Sequence, residues 1–120
     1  MALNQAALGE LRNLDPDGSA GILAQIINVY LDDAPKLIAN IQTALAAKDI
    51  ATMTRHAHSL KSSSMSVGAS RVGEIASTIE SGGRKNSVDD CPALVMALTA
   101  EYAAAKRLLQ AELPAPGKLA

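Results

Sequence analysis

Ile50, Met53, Ala57, Leu60, Ser64 and Val67 recur at alternating steps of three and four residues. Residues advance about 100° each around an α-helix, so these six form one stripe about 80° wide. A stripe of that width is the core-facing seam of an amphipathic helix. The same spacing recurs along the rest of the chain, and no run alternates apolar and polar in the manner of a strand.

Five helical segments follow from the pattern. The first spans about Leu3 to Asn13, with Leu8 and Leu11 inward. Asp15-Pro16-Asp17-Gly18 reads as a turn and cap. The second segment starts near Ser19 and buries Ile22, Leu23, Ile26, Ile27 and Tyr30. It is expected to bend or restart at Asp33-Ala34-Pro35, because proline lacks an amide and disfavours helix in the residue before it. Its apolar face resumes with Leu37, Ile38, Ile41 and Leu45. Asp49 is suited to cap the third segment, and Gly68-Ala69-Ser70 breaks it. The fourth carries Val72, Ile75, Ala76 and Ile79 inward and is expected to stop at Gly82-Gly83. A linker from Arg84 to Asp90 follows. The fifth begins at Cys91-Pro92, with Asp89 or Asp90 as cap and proline in its first turn. It buries Leu94, Val95, Leu98, Tyr102, Ala105, Leu108 and Leu109. Short loops between long amphipathic helices predict an all-α antiparallel four-helix bundle with a short extra N-terminal helix and a kinked second helix. The domain is expected over residues 1–113, with 114–120 as a disordered tail.

The third segment also carries the candidate chemistry. Measured from the centre of its stripe, His58 lies about 140° away, nearly opposite the core, and His56 only about 60° away. His58 is therefore expected exposed and His56 partly buried. Lys61 and Ser62 follow His58 by three and four residues, so their side chains neighbour it. Arg55 and Met65 border the same patch. Ser59, Ser62 and Ser66 are all small, which leaves room for a partner's active site to approach the ring. Two readings stand: an ordinary surface histidine, or a nucleophilic imidazole beside a cation that accepts a phosphoryl group and passes it on. Met65 is either a partner contact or a peripheral core residue. The run Ser62-Ser63-Ser64 fits small-residue packing better than a phosphorylation tract, because Ser64 lies on the core stripe. His56 and His58 point about 160° apart and cannot share a metal ion, whose helical spacing is i, i+4.

Composition narrows the classes further. The chain has 120 residues, 48% of them hydrophobic, with no Phe or Trp. Its core must come from Leu, Ile, Val, Met and Ala, which suits closely packed helices. Net charge is −1, with 11 basic and 12 acidic residues dispersed along the chain. Without a basic patch or an aromatic stacking platform, nucleic-acid binding is not expected. Cys91 is the only cysteine, which fits a reducing compartment. No signal peptide or bilayer-spanning run is read. No phosphate-cradling glycine loop, catalytic triad or zinc signature is present. A phosphoryl group must therefore come from another protein, with no cofactor implied.

The stretch Ala57-His58-Ser59-Leu60-Lys61-Ser62-Ser63, with Gly68 ten residues after the histidine, resembles the signature of histidine-containing phosphotransfer (HPt) domains. The likeness extends to Tyr30–Asp49 before it and to the helix that reaches Glu80 after it. It covers about residues 17 to 110. The resemblance implies that His58 is the phosphoacceptor, that Lys61 assists the phosphoryl group, and that Ser62 keeps the surroundings open where the family often has glycine. It also implies a phosphorelay intermediate of a bacterial, cytoplasmic two-component system. The partners would be response-regulator receiver domains and a hybrid sensor histidine kinase, and the domain itself a monomer. Arg55, Ser59, Ser62, Met65 and Ser66 would form the partner-binding face. The competing readings are a docking adaptor that is never phosphorylated and the dimerisation domain of a sensor kinase. In the latter an acidic residue usually follows the histidine; here Ser59 does.

Overall fold

A computed structural model describes residues 3–14 and 21–113. Among these the chain forms five α-helices and no strand: α1 (Gln5–Asn13), α2 (Ile22–Ala46), α3 (Ile50–Ser66), α4 (Ser70–Arg84) and α5 (Cys91–Ala111). Helices α2 to α5 make the antiparallel four-helix bundle. α3 packs between α2 and α4, and α5 closes the ring between α4 and α2. α1 lies against α2 and α3. The stripe of α3 points inward as its spacing predicts: Met53, Ala57, Leu60, Ser64 and Val67 are buried. They meet Ile27, Ile41, Ile79, Leu98 and Leu109 in one core. Ser64 is the polar member, and its hydroxyl pairs with that of Tyr30 at 2.8 Å. Burial pushes the Tyr30 phenol up to about 12, so it serves as a neutral partner.

Short loops are possible because α2, α3 and α4 end in the same way. Lys48, Gly68 and Asn86 each adopt a left-handed conformation, with φ of 58°, 80° and 56°. In each case the next amide reaches back five residues: Asp49 to Ala44, Ala69 to Ser64, and Ser87 to Gly82, all at 2.8 Å. These are Schellman caps, which satisfy the last carbonyls and reverse the chain within a few residues. Gly68 also meets the cap residue of α1. The Asn4 amide donates to the Gly68 carbonyl at 2.7 Å, and a Cβ on residue 68 would lie 2.7 Å from the Asn4 carbonyl oxygen.

Several boundaries differ from the sequence expectation. α1 starts at Gln5 rather than Leu3. Asn4 caps it by accepting from the amides of Ala6 and Ala7, while Leu3 is buried ahead of the helix. α2 runs through Pro35 as one helix and does not restart. The proline leaves the Leu31 carbonyl without its usual amide, and the Tyr102 hydroxyl donates to that carbonyl from α5 at 3.4 Å. α4 continues through Gly82-Gly83 to Arg84, so the loop begins one residue later than expected. A Cβ on residue 83 would fall 1.9 Å from Thr54 Oγ1. That glycine is required by the approach of α3, not by a helix stop. Asp49 caps α3 as expected, accepting from the Thr52 amide. Asp90 occupies the cap position of α5 without a side-chain bond. The turn at 15–18, the start near Ser19 and the tail at 114–120 lie outside the described residues.

Lys48 is an exposed residue with a Cβ at a left-handed position. Glycine adopts that conformation without the steric cost that other residues carry. Lys48→Gly is expected to raise unfolding stability by about 1 kcal/mol. Chemical denaturation would check this, and a loss of stability would contradict the cap assignment.

Candidate functional site

His58 sits mid-way along α3 with its side chain 54% exposed, as the stripe geometry requires. Arg55, Ser59, Ser62, Met65 and Ser66 are exposed around it, and Lys61 is half-buried. The serines do not extend into solvent. Ser59 donates to the Arg55 carbonyl and Ser66 to the Ser62 carbonyl, at 3.3 and 3.0 Å. Both hydroxyls fold onto their own helix and keep the surface low. Met65 is 40% exposed, and its Cε lies 2.8 Å from where a Cβ on Gly73 of α4 would sit. It is both a surface residue and a packing residue. His56 is half-buried and lines a separate recess with Asn40, Thr43 and Thr52.

The structure adds two residues that the sequence reading did not place in the site. Glu80 of α4 is buried, with its side chain only 6% exposed. His58 Nδ1–H donates to Glu80 Oε2 at 2.6 Å. Arg84, one turn later on α4, donates to the same oxygen at 2.6 Å. Lys61 Nζ lies 3.0 Å from the other oxygen, Oε1. One carboxylate thus holds three nitrogen groups from two helices. Burial pushes the Glu80 carboxyl up, but the hydrogen bonds from Lys61, Arg84 and His58 outweigh it and hold the group at about 2. The carboxylate stays ionised and accepting near neutral pH. It fixes the imidazole with its proton on Nδ1, leaving Nε2 as the nitrogen with a free lone pair.

Helix packing is what brings this carboxylate to the histidine. α4 faces α3 with small residues at Gly73, Ala76 and Gly83, against Met65 and Thr54. The close approach lets a side chain of glutamate length span the gap. A signal for Glu80 was present in the sequence. It stands beside Ile79 and four residues after Ala76, on the flank of the inward stripe, and a carboxylate there needs cationic partners. Arg84 at i+4 and the His58–Lys61 pair on the facing helix supply them.

Because the Glu80 carboxyl is held below its ordinary 4.5, at about 2, its contribution to stability is complete above pH 4.5. It is lost as the pH falls toward 2. A depression of that size corresponds to about 3 kcal/mol. Glu80→Gln should be less stable than wild type at pH 7, and the gap should close in acid. Urea unfolding across that range would check it; a gap independent of pH would contradict the ion network.

The sequence and fold were compared with those of known proteins. The Hpt domain family model matches residues 25–108. Histidine-containing phosphotransfer protein 2 of Arabidopsis thaliana is 31% identical over 104 residues, covering 84% of this chain and 67% of that protein. Protein 5 of the same plant is 29% identical over a like span, covering 66% of its length. The chain therefore spans about two thirds of these relatives. Among solved structures, histidine-containing phosphotransfer protein B from Pseudomonas aeruginosa PAO1 superposes with a TM-score of 0.83 over 92% of both chains, at 23% identity. The Medicago truncatula protein MtHPt2 gives 0.76 at 28% identity, over 87% of this chain and 72% of that one. With the family model matching residues 25–108 and the histidine motif inside that span, the chain belongs to the Hpt domain family.

Proposed function

We propose that His58 is the phosphoacceptor through which this phosphorelay intermediate of two-component signalling works. Family membership makes the chain a phosphotransfer carrier. The observation that supports His58 is its pairing with Glu80, which engages Nδ1 and leaves Nε2 free on the open face. In the step we infer, Nε2 attacks the phosphorus of an aspartyl phosphate on a receiver domain. The N–P bond forms as the O–P bond to the aspartate breaks, and the aspartate leaves as a carboxylate. No proton moves, because Nδ1–H stays with Glu80 throughout. The ring becomes a phosphorylated imidazolium whose positive charge faces the Glu80 carboxylate. The return step, to a second receiver aspartate, reverses these bonds. Lys61 would supply charge to the phosphoryl oxygens from one turn away.

The same reading takes receiver domains and a hybrid sensor kinase as partners, with the domain acting as a monomer in a bacterial cytoplasm. No helix among the described residues is long and apolar enough to cross a membrane. The partner would dock on the low surface of Ser59, Ser62 and Ser66, with Arg55 and Met65 at its edge.

Loading the protein from a phosphorylated receiver and splitting the sample between acid and alkali tests the assignment. A P–N bond is lost in acid and survives base. Label is expected to vanish in acid and to be absent from His58→Gln while present in His56→Gln. Acid-stable label would refute the assignment, and no label on wild type would favour a docking adaptor.

Ser62→Tyr addresses the face. Residue 62 is exposed one turn from His58, so stability should change by less than about 0.5 kcal/mol. Transfer should be blocked because the ring stands where a receiver approaches. Unchanged transfer would place the docking surface elsewhere.

A further inference from the structure

Three cationic side chains surround His58, and they are not equivalent. Lys61 and Arg84 are both bound to Glu80, at 3.0 and 2.6 Å. The Arg55 guanidinium makes no hydrogen bond or ion pair among the described residues. Asp49, near the start of the helix, attracts it without a direct ion pair, and both carboxylate oxygens of Asp49 are already engaged by Thr52. Arg55 precedes His58 by three residues, so the two neighbour each other on the helix surface. Both line the same cleft of about 340 Å³, along with Ala51, Ser59, Glu80 and Arg84.

We propose that Arg55 is a phosphoryl-binding residue, which receives the phosphoryl group of phosphorylated His58 in the cleft the two share. The inference rests on His58 being the phosphoacceptor. Its ground is the difference in commitment among the cations. A phosphoryl group brings nearly two negative charges and three acceptor oxygens. Lys61 or Arg84 can turn to it only by weakening a bond to a buried carboxylate, which then loses part of its compensation. Arg55 gives up only solvent and a screened attraction to Asp49. Its planar fork can donate two N–H groups to two phosphoryl oxygens at once, which an ammonium cannot match in geometry. With Nδ1 held by Glu80, Nε2 is the ring nitrogen left to carry the phosphoryl group, and His58 and Arg55 line one cleft. Arg55 thus takes the first charge of the phosphoryl group, and the Glu80 network stays intact.

The test compares wild type, Arg55→Gln and Arg55→Lys after loading from a phosphorylated receiver and removal of that receiver. The ³¹P resonance of the phosphohistidine is followed against pH. A guanidinium held on the phosphoryl group favours its dianion, so Arg55→Gln should raise the midpoint of that titration by about half a pH unit. Arg55→Lys, which keeps the charge and loses the fork, should recover only part of the difference, and about 0.5 M salt should shrink it. Loading from the receiver should slow about fivefold in Arg55→Gln. Slower loading with an unchanged ³¹P titration would overturn the proposal, because Arg55 would then be meeting the receiver. No change in either would overturn it too. Failure of the wild type to take label would instead refute His58 as acceptor, a result separable from all of these.

Discussion

One buried carboxylate organises this protein. Glu80 is accessible over only 6% of its side chain and accepts from His58, Lys61 and Arg84. Taking a carboxylate out of water is costly unless its lone pairs are satisfied by charged donors, and here every donor comes from α3 or α4. The interaction therefore acts on two levels. It ties together the pair of helices that carry the site, and it sets the direction in which the imidazole can react. A histidine free to spin on an open helix face would present either nitrogen. With Nδ1 anchored on α4, only Nε2 is offered.

That anchorage depends on backbone spacing. Gly83 leaves no room for a Cβ beside Thr54, and at Gly73 a Cβ would have to displace the end of the Met65 side chain. The two glycines lie near opposite ends of α4 and allow α3 to sit close along its length. Glycine inside a helix is unfavourable by itself, by about 1 kcal/mol relative to alanine. The helix tolerates it because the close packing returns stabilisation through buried contacts with Ala57, Leu60, Ala76 and Ile79. A local rule is broken at these positions in favour of the geometry of the site.

Those exceptions mark what was legible in the sequence. The face of α3 was readable because a seam of six residues obeys helical periodicity, and its complement placed His58 outside. The bundle was readable from the same periodicity and the short loops. Gly82-Gly83 misled, because in sequence a glycine pair signals a helix end, and only the neighbouring helix reveals the close contact. Pro35 left a bend and a restart both open, and sequence could not exclude the restart because the Tyr102 hydroxyl that takes up the orphaned Leu31 carbonyl lies 71 residues away. Glu80 was visible as a charge on an inward flank, but its partners lie on another helix, where periodicity gives no information. What periodicity could not supply in each case was the identity of the neighbour across a helix gap.

The serines around His58 have a consequence for how partners are chosen. Ser59 and Ser66 spend their hydroxyls on carbonyls of their own helix. A protein approaching there would meet a surface on which these two hydroxyls are already engaged. If receivers dock there, as proposed, such a face would be close to neutral in its preferences and would admit several of similar shape. Discrimination between them then falls to the charged and apolar rim. This is the division of labour that a relay needs when it must take a group from one protein and surrender it to a different one through the same contact.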